Sequence, residues 1–201
     1  ADQVDKASSN PLLDRSEWYS PSYILVNKPG FVFHTALDRF YFEYYSKKWE
    51  LRLGRQRINW GINTYWNPND IFNTYNFTDF DYEERPGSDA LRVIYYPGIL
   101  SRIEIAVQAF DAISNINAAA LWAFNKKGYD FQFLAGYSYD NIVLGTGWSG
   151  NIKNVGFKGE ASYFYDIDSS NNSLSATLSA DYIFKNSLFL TGSFLYNSNG
   201  V

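Results

Sequence analysis

The residues with chemistry to offer gather early in the chain. Arg52, Arg55 and Arg57 fall in one run, Leu51-Arg-Leu-Gly-Arg-Gln-Arg, with Arg39 and Glu43 a short way upstream. Asp70 follows, and then the charged knot Asp81-Tyr-Glu-Glu-Arg-Pro-Gly-Ser-Asp, which supplies Asp81, Glu83 and Glu84. Arg92 and Glu104 complete the set. Arginines set against carboxylates across an enclosed interior can do either of two things. They can create an electric field that biases the passage of a solute, or they can fill the interior as a structural ion-pair network. The residue types do not separate these readings, because both point the same side chains inward.

Other chemistry is poorly supported. His34 is the single histidine, and no serine stands in a setting that would make it a nucleophile beside a base. Asp166-Ile-Asp168 with Asn171-Asn172 offers oxygen ligands of the kind calcium takes, but the EF-hand spacing is missing and a solvated loop is the preferred reading. With no cysteine there is neither a disulfide framework nor a thiolate metal site. No cofactor is implied, and no residue argues for an enzyme. The net charge of -4, without a basic stripe, argues against a nucleic-acid partner.

The elements that must position the charged set are strands. Aromatic residues make up 19% of the 201 residues, yet charged residues make up another 19%. Apolar and polar residues are interleaved rather than gathered into blocks, which is the period of a strand. Phe40, Phe42 and Tyr44 alternate with Tyr41 and Glu43. Ile103, Ile105 and Val107 alternate with Arg102, Glu104, Ala106 and Gln108. Phe131 and Phe133 alternate with Asp130 and Gln132, and Leu174 to Phe184 repeats the pattern against Ser175, Thr177, Ser179 and Asp181. About ten such strands can be traced. They are roughly nine to twelve residues long, the length that crosses a bilayer when tilted and longer than the usual soluble strand. Their connections sort into two sets. Ser46-Lys-Lys, Pro97-Gly, Asn125-Lys-Lys-Gly, Asn151-Ile-Lys-Asn and Lys185-Asn186 are short turns. They alternate with the set that holds the long 59–90 loop and the 166–173 loop. Residues 1–30 read as an irregular N-terminal lead-in, and 31–201 as the strands.

In the strand that carries the arginines, glycine suggests a bulge at Gly54-Arg55. Such a bulge would group Arg52, Arg55 and Arg57 and send Ile58 and Trp60 to the apolar side. The 59–90 loop is too long for a simple connection. It is expected to fold inward as a constriction, with Asp70, Asp81, Glu83 and Glu84 facing the arginines, rather than to form an external cap.

The apolar faces decide the class. Nearly every one ends in Tyr, Trp or Phe close to a turn, with Leu, Ile, Val and Ala between, while the opposite faces hold Arg, Glu, Gln, Ser and Thr. Aromatic ends around aliphatic middles match the girdles of a membrane β-barrel. No run of about 18 apolar residues is present, so no transmembrane helix is expected. The chain lacks an initiator Met and ends as a strand running into a loop, so a fragment of a larger barrel is expected.

The run Leu51-Arg-Leu-Gly-Arg-Gln-Arg-Ile-Asn-Trp-Gly is followed by Asn67-Pro-Asn-Asp and then Glu83-Glu-Arg-Pro-Gly. Over about residues 38–95 it resembles a pattern of porin-like outer-membrane proteins of Gram-negative bacteria, in which a GRQ-x-I-x-WG strand precedes an NP-x-D loop. The aromatic and Asn content resembles Bacteroidota outer-membrane proteins. The resemblance implies an all-β, antiparallel transmembrane β-barrel in the outer membrane, with more strands than are visible here. The motif is nearly silent about the solute; the polar inner face and the long charged loop are what point to a channel for small hydrophilic solutes. The alternatives are a non-conducting barrel subunit of an outer-membrane complex and a soluble β-barrel binding protein. The partners implied are outer-membrane lipid, small hydrophilic solutes, and a homo-oligomer or larger envelope complex.

Overall fold

The structure, a computed structural model, describes residues 22–37, 39–72, 87–108, 116–167 and 172–199. Among them every regular element is a strand, and no helix is long and apolar enough to cross a membrane. Residues 22–28 depart from the expected irregular lead-in. The run Tyr-Ile-Leu-Val forms β1 (Ser22–Lys28), turns at Pro29-Gly30 with Gly30 at φ 83°, and pairs antiparallel with β2 (Phe31–Ala36). These two strands are a separate sheet. His34 lies in β2, and residues 1–21 lie outside the described residues.

The other ten strands form one antiparallel meander in which each strand pairs with its neighbours in sequence. They are β3 (Phe40–Tyr45), β4 (Trp49–Gln56), β5 (Ser88–Gly98), β6 (Ser101–Gln108) and β7 (Asn117–Lys126). Then come β8 (Tyr129–Ser138), β9 (Asn141–Ile152), β10 (Val155–Asp166), β11 (Ser173–Ile183) and β12 (Phe189–Asn197). The fold is all-β and antiparallel, as the alternation predicts. The sheet is not closed: β3 and β12 are its two edges. The short turns lie at one rim, because each joins an odd-numbered strand to the next. One of them differs from expectation. Pro97-Gly98 ends β5, and the turn itself is Ile99-Leu100.

The register corrects the expected bulge. β4 pairs without interruption on both sides: Arg52 opposes Glu43 and Arg92, and Arg55 opposes Phe40 and Asp89. Residues three apart on a regular strand point to opposite faces. Arg55 therefore leaves the face of Arg52 and joins Asp89, to which it makes two hydrogen bonds, at 2.7 and 3.0 Å. Gly54 serves a different purpose from a bulge. Its φ is 122°, and a Cβ there would lie 2.5 Å from the Phe40 carbonyl oxygen, so glycine allows β3 and β4 to approach without inserting a residue.

The two faces have opposite characters. On one, Glu104, Gln108, Asn117, Gln132, Glu160, Thr177 and Ser179 are buried. On the other, Ile105 is 51% exposed, Leu144 55% and Phe194 64%. The polar face is the covered one and the apolar face the open one, which inverts the arrangement of a soluble sheet. We call them the inner and outer faces. Replacing Gly54 with alanine should lower stability by about 1–3 kcal/mol, through the forced backbone conformation and the collision with β3. A drop in the urea midpoint without a change in slope checks this.

Candidate functional site: residues 57–72 on the polar face

What covers the inner face is the chain that follows β4. Residues 57–72 lie across it, and their packing is in part apolar. Ile58, Trp60, Ile71 and Phe72 form one buried cluster with Ala90, Ala106, Ala119, Leu121, Leu134 and Val143 from the strands beneath. Trp60 meets Phe72 edge-on, with ring centroids 4.8 Å apart. Small inner-face residues on β5 to β7 make the space for these rings. Ile58 and Trp60 thus lie on the inner side, not on the apolar outer side that a bulge would have given them.

The polar part of the contact is more specific. Glu160, 1% exposed, reaches up from β10 and accepts three backbone N–H groups of the covering segment. Its Oε2 takes Ile62 N at 2.7 Å and Asn63 N at 3.1 Å, and its Oε1 takes Asn69 N at 2.9 Å. A buried carboxylate without such partners would be strongly destabilising, and amides aimed at it take the place of water. Around it, Asn69 Nδ2 donates to Thr146 O at 3.1 Å, and Ser162 Oγ donates to Asn69 Oδ1 at 2.6 Å. Ser179 Oγ donates to Asn63 Oδ1. Gln132 Nε2 donates to Trp60 O at 2.7 Å, Asn117 Nδ2 to Ile71 O at 2.7 Å, and Ser88 Oγ to Phe72 O at 3.1 Å. Strand side chains thus satisfy backbone groups of an irregular segment that no ladder could serve.

Glycine prepares the landing site. Gly145 and Gly147 face inward on β9, beside Ser162 and Glu160 of β10. A Cβ on Gly145 would collide with Asn69 Oδ1, and one on Gly147 would come within 2.7 Å of Ile62 Cδ1.

The charged residues divide into groups. Arg52 pairs with Glu43, and with Glu50 at 2.9 Å, and its guanidinium stands 5.5 Å from the Tyr41 ring centre. Tyr96 Oη donates to Glu50 at 3.1 Å. Arg92 pairs with Glu104 at 2.6 Å, and Arg102 lies 3.8 Å from the other Glu104 oxygen. Trp60 Nε1 also donates to Glu104, at 2.5 Å, tying the covering segment to this group. Of the residues expected to line the interior, Glu43, Arg52, Arg92 and Glu104 are together on the inner face. Arg55 is on the outer face with Asp89. Arg57 is half-buried just after β4, Arg39 is exposed before β3, and Asp70 is buried within the covering segment. Asp81, Glu83 and Glu84 lie outside the described residues, as do Asp168 and Asn171 of the candidate calcium loop.

Sequence reasoning missed Glu160, Glu50, Gln132, Asn63 and Asn69 as site residues. Glu160 was visible on the polar face of its strand. The signal that could have singled it out is the pair of inward glycines across the ladder, which leaves a carboxylate facing a gap.

A cavity of about 480 Å³ remains at the short-turn end of the inner face, between Trp60, Arg102, Asn125, Asp130 and Gln132. Compared with protein-family models, with curated proteins and with solved structures, the chain matches none.

Removing the Glu160 carboxylate should release the covering segment. Glu160→Ala leaves three amides without an acceptor, a loss on the order of 3 kcal/mol. Amide hydrogen exchange at Ile62, Asn63 and Asn69 should accelerate while exchange in β7 and β8 stays slow; unchanged protection at those three amides would refute the role given to Glu160.

Proposed function

We propose that this chain is part of a transmembrane β-barrel of the outer membrane and acts as a porin-like channel for small hydrophilic solutes, with residues 57–72 narrowing its lumen. The observation that carries the reading is the composition of the outer face. Across ten strands its only charged side chains among the described residues are Lys126, beside a turn, and the mutually paired Arg55 and Asp89 near the other rim. Between the rims that face presents Leu53, Leu91, Ile105, Phe133, Leu144, Leu178 and Phe194, all exposed. Monomeric soluble proteins rarely expose a continuous apolar surface of that extent. Lipid is the solvent it suits, and seven of the ten strands, at nine residues or longer, have the length a tilted crossing needs. An open edge cannot face lipid, so the reading requires β3 and β12 to be paired in the membrane.

The inner face supports the channel half of the proposal. It carries paired charges and amides, and part of it, over the cavity at the short-turn end, is left uncovered by residues 57–72. A second reading, a non-conducting barrel within an envelope complex, is favoured by one observation: the covering segment packs against β5 to β9 through a buried apolar cluster, as a plug would.

Planar-bilayer recording separates the two. The channel reading expects discrete single-channel steps, with larger and noisier steps for Glu160→Ala as the covering segment loosens; a sealed bilayer for both proteins would sink it. The lipid assignment has its own check. Ile105→Arg should cost about 2–4 kcal/mol in bilayers if that side chain meets the lipid midplane, whereas on a watered surface it should change stability by no more than about 0.5 kcal/mol.

A further inference from the structure

The lysines are distributed unevenly. The sequence has nine, and six of them sit in the short turns of the ten-stranded sheet. Lys47 and Lys48 join β3 to β4, Lys126 and Lys127 close β7 to β8, Lys153 joins β9 to β10, and Lys185 joins β11 to β12. All six are exposed, and none forms an ion pair among the described residues. No arginine or carboxylate stands in these turns. The nearest carboxylates, Glu50, Asp130 and Asp181, are on the inner face and engaged: Glu50 with Arg52, Asp130 with the Asn125 amide, and Asp181 with Lys158. The opposite rim carries Asp89, Asp140 and Asp166, and no lysine among the described residues.

Turn formation does not explain the choice. Lys127 and Lys153 have φ of 56° and 57°, the left-handed region where glycine and asparagine are the residues a turn favours. The fifth turn, between β5 and β6, has no lysine; its Ile99 and Leu100 are instead apolar and fully or largely exposed. Just above this rim, the outer face bears Trp49, Tyr95, Trp122, Phe124, Trp148 and Tyr182. Trp49 packs on Tyr95 and Trp122 on Phe124, each pair with centroids 4.6 Å apart. Cations at the tips, an apolar tip between them and an aromatic belt behind them match the layers of a headgroup region.

We propose that the short-turn rim is an anionic-phospholipid contact: the six turn lysines meet the phosphates of one leaflet, and Ile99-Leu100 dips among its headgroups. This rests on the membrane reading above. It adds a chemical preference, for lipids with net negative charge, at one rim only.

The test uses the full chain with vesicles of phosphatidylcholine alone and of phosphatidylcholine mixed with phosphatidylglycerol. Association should be about tenfold or more stronger with the anionic vesicles, and the gain should fall as salt is raised. The variant with all six lysines changed to glutamine should lose the preference, and the variant with all six changed to arginine should keep it. Brominated phosphatidylglycerol should quench tryptophan fluorescence of the unaltered protein more than brominated phosphatidylcholine at equal content, a readout that needs no variant to fold. Insertion into both vesicle types with no preference, or a preference that survives the glutamine changes, overturns the lysine contact and leaves the membrane reading standing. Failure to insert into either overturns both.

Discussion

The amides of Ile62, Asn63 and Asn69 are more than ninety residues from Glu160 in sequence, yet they converge on its carboxylate. The rest of the arrangement depends on that convergence. A buried carboxylate is tolerated only where donors surround it, and an irregular segment is tolerated over a sheet only where its backbone groups find acceptors. Each supplies what the other lacks. The polar side of the sheet can therefore be covered by its own chain while the apolar side remains open.

The inner face is divided between two kinds of interaction. From β3 to β6 it is ionic: Arg52 with Glu43 and Glu50, and Arg92 with Glu104. From β8 to β11 its hold on the covering segment is largely through neutral groups, Gln132, Ser162 and Ser179, with one carboxylate, that of Glu160. Between them lies the strip of small and apolar residues on which Trp60 and Phe72 rest. The covering segment spans all three zones, so its position is over-determined by contacts of different chemistry.

Most of the strand pattern was legible from the sequence because period-two alternation is local, and each strand announces its own faces. Strand order followed too, since short turns leave a meander little choice. β4 was misread at Gly54 because a glycine in a strand signals either a bulge or a close approach, and the sequence does not say which. The cross-strand partner decides, and here it is the Phe40 carbonyl. That one choice moved Arg55 to the wrong face. Glu160 was hidden for a different reason. Locally it looks like any inward glutamate, and its role arises from Gly145 and Gly147 on the next strand and from a loop nearly a hundred residues earlier. The inward fold of the loop was anticipated from its length, but its attachment was expected through acids meeting arginines. The described segment is held through backbone amides, side-chain amides and aromatic rings.

Arginines set against carboxylates on an inner face can act as a field or as a scaffold. Glu104 shows why these are not exclusive. One of its oxygens takes both the Arg92 guanidinium and the Trp60 indole N–H, and Arg102 lies near the other. Trp60 in turn offers its carbonyl to Gln132 on β8. The ionic zone thus holds the covering segment directly, through a carboxylate that is wholly buried. Any change that alters the field at this point also alters where the segment sits, because the same carboxylate does both. In a lumen narrowed by residues 57–72, the electrostatics and the width of the path would then be set by one network.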